Sequence, residues 1–125
     1  MPVNQNLIET TKQSPEYQNG LAILGDPDDY AGQTMMEFIG FFYVMSIREA
    51  GNVEGLQAFL RQLGIVAQKS ERGYAFGCED EEALTTAFTY IVGRNSREYF
   101  EEFLKHRAEL VAGDPQVPEQ WKSEN

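Results

Sequence analysis

Apolar residues occupy nearly every position from residue 35 to residue 47, where the chain reads MMEFIGFFYVMSI. Glu37 is the only residue in this segment that carries a charge near neutral pH. A helix at a protein surface keeps a polar stripe on one side, whereas here apolar side chains point in almost every direction. The segment is also too short to cross a bilayer, which takes roughly 20 apolar residues. The pattern therefore predicts a central helix over residues 30–50, buried in a core or in a subunit interface.

Four further helices are predicted where apolar residues at helical spacing lie between residues that cap or stop helices. Ser14, followed by proline, resembles a helix start, and Asp80 can cap another helix that Gly93 stops. Asn95 and Glu98 have the spacing of a capping box at the last helix. With their caps and stops, the predicted segments are residues 14–25, 52–64, 80–93 and 95–113.

The helical spacing of apolar residues stops in two short runs, residues 65–70 and 74–78. These extended-looking runs predict a β-hairpin. The predicted fold class is mainly α (α+β), with five or so helices around a central apolar helix and one small antiparallel β-hairpin. A chain of 125 residues fits one domain. We expect a flexible N-terminal arm over residues 1–13, with a short helix packed at the edge as the alternative. A single globular domain over 14–113 and a polar C-terminal tail over 114–125 complete the prediction.

Acidic residues outnumber basic residues by 20 to 10, which gives a formal net charge of −10. Affinity for a nucleic-acid backbone comes from Lys and Arg, so direct nucleic-acid binding is disfavoured, and anionic membrane surfaces are repelled in the same way. The same field attracts a basic protein, a cationic ligand or a metal, although solubility is its ordinary explanation. With one cysteine and no leader-like segment, we expect a cytoplasmic protein.

Carboxylates concentrate at the predicted starts of the last two helices. There they interact favourably with the positive helix end, each by about 0.3–1 kcal/mol, so helix capping is the ordinary explanation. The functional interpretation is a docking face for a protein partner with a basic surface. This predicted acidic face consists of Glu79, Asp80, Glu81, Glu82, Glu98, Glu101 and Glu102. Because residues 79–82 lack the ligand spacing of a calcium loop, no metal site is predicted.

Core packing is the ordinary account of the aromatic residues in the central helix. A short chain, however, has few neighbours with which to surround one apolar helix. A second subunit is one solution, and a hydrophobic ligand beside the flexible methionines is the other. The residues predicted to form this oligomer interface or pocket are Met35, Met36, Phe38, Phe41, Phe42, Tyr43 and Met45.

No catalytic constellation is apparent in the chain. Cys78 precedes four carboxylates that disfavour its thiolate, and His106, the only histidine, is expected on a solvated helix face. The usual zinc frameworks, a GxSxG elbow and phosphate-binding or dinucleotide motifs are missing. Glu37 is expected to point outward, with a buried ion pair or a ligand contact as alternatives. We therefore predict no enzymatic activity and no cofactor.

Two functional hypotheses follow from these observations. The leading one is a non-enzymatic acidic protein-interaction module, an adaptor or regulator that self-associates and binds a basic protein partner. The alternative is a small-molecule sensor or carrier with a hydrophobic pocket lined by methionine and aromatic residues. Added salt should weaken the first kind of binding, and a hydrophobic ligand should raise the melting temperature only in the second.

Overall fold

Six helices and one short hairpin make up the part of the chain that the computed structural model describes, residues 3–51, 53–70 and 73–112. At positions 68–70, 73–75, 106 and 108–112 only the backbone is described. The elements are α1 (Gln5–Lys12), α2 (Pro15–Leu24), a 3₁₀ turn (Pro27–Asp29), α3 (Gly32–Ala50), α4 (Glu54–Gln62), β1 (Val66–Ser70), β2 (Gly73–Gly77), α5 (Glu81–Arg94) and α6 (Arg97–Ala112). This confirms the predicted mainly α fold with one small antiparallel hairpin. The predicted tail over 114–125 lies outside the described residues.

Side-chain caps fix the starts of three helices. Asn4, Ser14 and Asp80 each accept a hydrogen bond from the backbone N–H three residues further on, at 3.1, 3.1 and 2.9 Å. Each cap satisfies one of the N–H groups that the first helical turn leaves without a partner. The helix starts predicted at Ser14 and Asp80 are therefore confirmed, and Asn4 begins a helix that the sequence analysis placed in a flexible arm.

The start of α6 corrects the capping box predicted from Asn95 and Glu98. The cap is Ser96, whose Oγ accepts a hydrogen bond from the Tyr99 N–H at 3.1 Å. The Asn95 side chain instead donates to the Ile91 carbonyl at 2.8 Å, and so it closes the preceding helix. Two neighbouring residues have cap chemistry here, and the sequence spacing alone does not show which of them caps α6.

Helix α1 corresponds to the short helix packed at the edge that was the alternative to a flexible arm over residues 1–13. Ile8 is fully buried and Thr11 nearly so. The Asn4 backbone N–H donates to the Gln62 carbonyl at 2.8 Å, and the two amide side chains also bond at 3.1 Å. An isolated helix of eight residues is unstable in water, so contacts with α4 and α5 stabilise α1.

Helix α3 runs through the middle of the fold, as its apolar pattern predicts. Phe38 and Val44 are fully buried. The Phe38 ring meets Phe88, Phe100 and Phe103 edge-on, with ring centroids 5.6, 5.4 and 5.0 Å apart, a geometry that favours aromatic pairs beyond their buried area. Helices of the same chain therefore cover α3, and no second subunit is needed for this burial.

Helix α6 runs back along α3 in the opposite direction. Near its start, the Tyr99 ring lies against Phe41 and Phe42, with centroids 5.7 and 6.3 Å apart. Two turns later, Arg107 reaches Glu37, close to the beginning of α3. Burial between the two helices raises the pKa of Tyr99 well above its usual value, because the phenolate would lose its hydration there.

Two glycines let α2 and α5 approach each other closely. A Cβ atom at Gly20 would lie 2.0 Å from the Thr89 carbonyl oxygen, and one at Gly93 would lie 1.6 Å from the Glu16 carbonyl oxygen. The Asn19 side chain adds a hydrogen bond across the crossing, to the Gly93 carbonyl at 2.9 Å. Gly93 is therefore a packing residue inside α5 and not the helix stop that the sequence predicts.

The hairpin is backed by the central helix. β1 and β2 pair antiparallel with Val66 opposite Gly77 and Ser70 opposite Gly73. The Phe76 ring packs against Tyr43 of α3 at 5.7 Å, which supplies the support that an isolated two-stranded sheet lacks. None of the described helices has the length and apolar character needed to cross a membrane.

Candidate functional site

A cleft of about 600 Å³ lies between α2, the start of α3 and the first turns of α5. Tyr17 and Tyr30 line it together with the carboxylates of Asp28, Glu81 and Glu82. The cleft thus combines aromatic surface with several acidic side chains. This combination suits a cationic group that carries an apolar stem.

Local capping explains how the three carboxylates reach the cleft. The Asp80 side chain caps α5, which places Glu81 and Glu82 in its first turn. On the facing segment, the Asp28 N–H donates to the Asp26 side chain at 2.9 Å, which stabilises the 3₁₀ turn that carries Asp28. Both acidic groups are therefore held on ordered backbone, and both Glu81 and Asp28 are exposed to solvent.

Met35, Thr85 and Thr86 also line the cleft. Met35 is almost fully buried, and the Thr85 hydroxyl donates to the Met35 sulfur, with the two atoms 3.7 Å apart. Thr86, also buried, donates its hydroxyl to the Glu82 carbonyl at 2.7 Å. Both threonine hydroxyl groups thus donate within the fold.

One ion pair already joins the two sides of the cleft. Lys12 Nζ lies 2.8 Å from Glu82 Oε2, although 70 positions separate the two residues in the chain. The hydrogen bond to Glu82 raises the pKa of Lys12 above its usual value, and desolvation of the ammonium group opposes that shift. Glu82 is therefore engaged, whereas neither Asp28 nor Glu81 has an ion-pair partner among the described residues.

The structure divides the predicted acidic face into two groups. Glu79, Glu81 and Glu82 are exposed around the start of α5, and Asp80 serves as its cap. The other group is exposed on α6, which begins only after α5 has ended. The 14 residues of α5 span about 20 Å and separate the first group from the start of α6 along the chain. The α6 residues Glu98, Glu101 and Glu102 do not line the cleft.

The predicted oligomer interface or pocket is mostly interior. Four of its seven residues are buried by their own chain, namely Met35, Phe38, Phe41 and Tyr43. The other three, Met36, Phe42 and Met45, are half-buried. Of the seven, only Met35 lines the cleft. Neighbours from the same chain therefore cover most of the central helix and leave Met36, Phe42 and Met45 partly exposed.

Glu37 does not point outward as the sequence predicts. Its Oε1 accepts a hydrogen bond from Arg107 Nε at 2.5 Å, and its Oε2 accepts one from Gln33 Nε2 at 3.1 Å. The Glu37 side chain is 27% exposed, so this is the partly buried ion pair that was the alternative. The arginine belongs to the antiparallel α6, so the sequence of α3 alone could not predict this ion pair.

Cys78 lies at the end of β2 and is half-buried. Its thiol donates to the Asp80 carbonyl, with Sγ and O 3.3 Å apart. Burial raises the pKa of the Cys78 thiol, and the carboxylates of Asp80 and Glu79 act in the same direction. A reactive thiolate is thereby disfavoured. The His106 side chain lies outside the described part, and within that part no group of three or more His, Cys, Asp and Glu side chains is placed to hold a metal ion.

Comparisons of the chain with protein-family models, with curated proteins and with solved structures find no match. What the cleft binds must therefore be inferred from its own residues. Sequence reasoning singled out Glu81 and Glu82 but missed Lys12, Tyr17 and Tyr30. The spacing of these three residues carries no local signal, because only the packing of α1, α2 and the 3₁₀ turn against α5 brings them to the acidic first turn.

Proposed function

We propose that this protein is a non-enzymatic interaction module that binds a basic segment of a partner protein in the cleft at the start of α5. The observation that carries the proposal is the acidic rim, formed by Asp28, Glu81 and Glu82, around a cleft lined by Tyr17 and Tyr30. A lysine or arginine side chain can lay its stem on the aromatic surface and present its charge to the carboxylates.

The charge of the whole molecule supports this choice of partner. A formal net charge of −10 attracts cationic surfaces and speeds their association. Exposed carboxylates contribute modest energies and are screened by salt. The interaction should therefore be reversible and salt-sensitive, as expected of an adaptor or regulator.

The proposal also includes self-association, through a smaller area of α3 than the sequence predicts. Met36, Phe42 and Met45 keep part of their surface in contact with solvent, and thioether side chains adapt well to an interface. Light scattering of the purified protein over a range of concentrations tests this part. A Met45→Glu variant should lower the apparent mass if the protein dimerises through α3, and an unchanged mass excludes this surface.

A labelled peptide of alternating arginine and glycine serves as the probe for the cleft. Fluorescence anisotropy compares the wild type with a variant carrying Glu81→Gln and Glu82→Gln. The matched control carries Glu98→Gln and Glu101→Gln, which change the net charge by the same amount on α6.

We expect the cleft variant to lose about three- to tenfold in affinity, since each exposed pair is worth up to about 1 kcal/mol. The control should lose much less, and wild-type binding should weaken as ionic strength rises. Equal losses of affinity in both variants would show that the peptide responds only to the overall charge of the protein. Binding that is insensitive to salt would contradict the electrostatic mode.

A further inference from the structure

The cleft already holds a cation that belongs to the chain itself. Lys12 lines the cleft and places its ammonium group 2.8 Å from the Glu82 carboxylate. The side chains of Lys12 and Glu82 are 34% and 54% exposed, so the pair sits at the open edge of the cleft. A basic side chain that enters from solvent meets this ion pair.

The backbone of Lys12 is anchored, whereas its side chain is not confined. Lys12 is the last residue of α1, which is fixed by the buried Ile8 and by the hydrogen bonds of Asn4 with Gln62. The Gln18 side chain also donates to the Lys12 carbonyl, at 3.2 Å. The four-carbon stem can therefore swing out of the cleft without moving the helix, because exposed rotamers interconvert rapidly.

We propose that the cleft binds the guanidinium group of a partner's arginine, and that Lys12 is a built-in competitor that occupies the Glu82 carboxylate until the arginine displaces it. This inference rests on the proposed function and names the ligand chemistry of the same cleft. Lys12 is thus an autoinhibitory residue: it lowers the affinity of the free module without contacting the bound partner.

Arginine fits the cleft better than lysine does. A guanidinium presents a planar fork of donors that bonds a carboxylate through two nitrogens, and it stacks on aromatic rings. The cleft offers Glu82 for the first contact and Tyr17 or Tyr30 for the second, while Glu81 stays available for the remaining donors. The ammonium group of Lys12 makes only one of these bonds, so an arginine can replace it at a net gain.

The test uses N-acetyl-arginine N-methylamide as the probe, with binding followed by NMR titration of the backbone amides in full-length protein. Lys12→Met removes the competing charge and keeps a stem of similar length. Lys105→Met is the matched control, because Lys105 also lies next to a carboxylate, with its Nζ 4.0 Å from Glu102, and carries the same charge. Lys12→Arg keeps a competing cation, and melting temperatures establish that each variant is folded.

We expect Lys12→Met to tighten binding of the probe about two- to fivefold relative to Lys105→Met, as estimated from the strength of exposed ion pairs. Lys12→Arg should bind no more tightly than the wild type. The competitor role is overturned if the affinity of Lys12→Met for the probe is no higher than that of Lys105→Met. In that case the proposed function still stands if Glu81→Gln with Glu82→Gln lowers the affinity for the peptide. If the probe shifts no amide at the start of α5 in any variant, and those two substitutions leave peptide binding unchanged, the proposed function fails as well.

Discussion

Replacing Gly93 by alanine tests the close approach of α2 and α5. The added Cβ atom would lie 1.6 Å from the Glu16 carbonyl oxygen and 2.6 Å from the Gly20 nitrogen. Both obstacles are backbone atoms, so no side-chain rotation can relieve the clash. To reach an ordinary contact distance, α2 and α5 have to separate by more than an ångström, which also strains the hydrogen bond from Asn19 to the Gly93 carbonyl.

Two opposing effects decide how far Gly93→Ala lowers the free energy of unfolding. Overpacking a well-packed site costs about 1–3 kcal/mol, and a clash with rigid backbone belongs at or above the top of that range. Alanine also favours the helix by about 1 kcal/mol relative to glycine. The net loss should therefore be about 2 kcal/mol or more, which for a domain of this size lowers the melting temperature by about 8 °C.

Urea denaturation followed by circular dichroism measures the free energy of unfolding directly. Gly55→Ala in α4 is the matched control, because no heavy atom lies within 4 Å of the added Cβ and the backbone there has no positive φ. This variant should gain about 0.5 kcal/mol from the lower entropy of its unfolded chain. If Gly93→Ala is as stable as the wild type or more stable, the glycine crossing does not hold α2 against α5 as argued.

Three further predictions concern individual side chains. Asp80→Ala should cost about 1 kcal/mol in urea denaturation because α5 loses its cap, whereas the exposed Glu79→Ala should change little, and equal effects would contradict the capping role. Since burial raises the pKa of the Cys78 thiol, iodoacetamide should modify it more slowly than free cysteine near neutral pH and faster as the pH rises; rapid modification at neutral pH would refute this. A double-mutant cycle with Glu37→Gln and Arg107→Met should give a coupling below about 1 kcal/mol, because both side chains are partly exposed, and a much larger value would indicate a dry ion pair.

Local patterns were enough to predict the central helix and the hairpin. Apolar groups around all of α3 leave it no stable place except the interior, and residue alternation marks β1 and β2. The role of Gly93 could not be predicted in this way. A glycine near the end of a helix is usually a stop, and only the approach of Glu16 from another helix shows that this one serves packing.

The candidate site was predictable only in part, for the same reason. The acidic first turn of α5 follows from residues that are neighbours in the sequence, and the Asp80 cap is confirmed. Lys12 meets Glu82 across 70 positions, and α1 itself is stable only through its packing, so neither the ion pair nor the cleft has a local signature. Arg107 and its partner Glu37 also lie 70 positions apart, so that ion pair has no local signature either.

The burial of most apolar residues of the central helix restricts how this protein can bind a partner. Because Phe38, Phe41 and Tyr43 are already packed within the chain, they cannot supply a binding surface without unfolding the core, and α3 offers a second copy only its half-buried residues. The described surface around the cleft is acidic, with Tyr17 and Tyr30 as its aromatic contribution. Under the proposed function, a partner is therefore selected chiefly by charge and by stacking on these rings. The energy of one exposed ion pair is comparable to such a preference, so the ammonium group of Lys12 is a suitable competitor in that proposal.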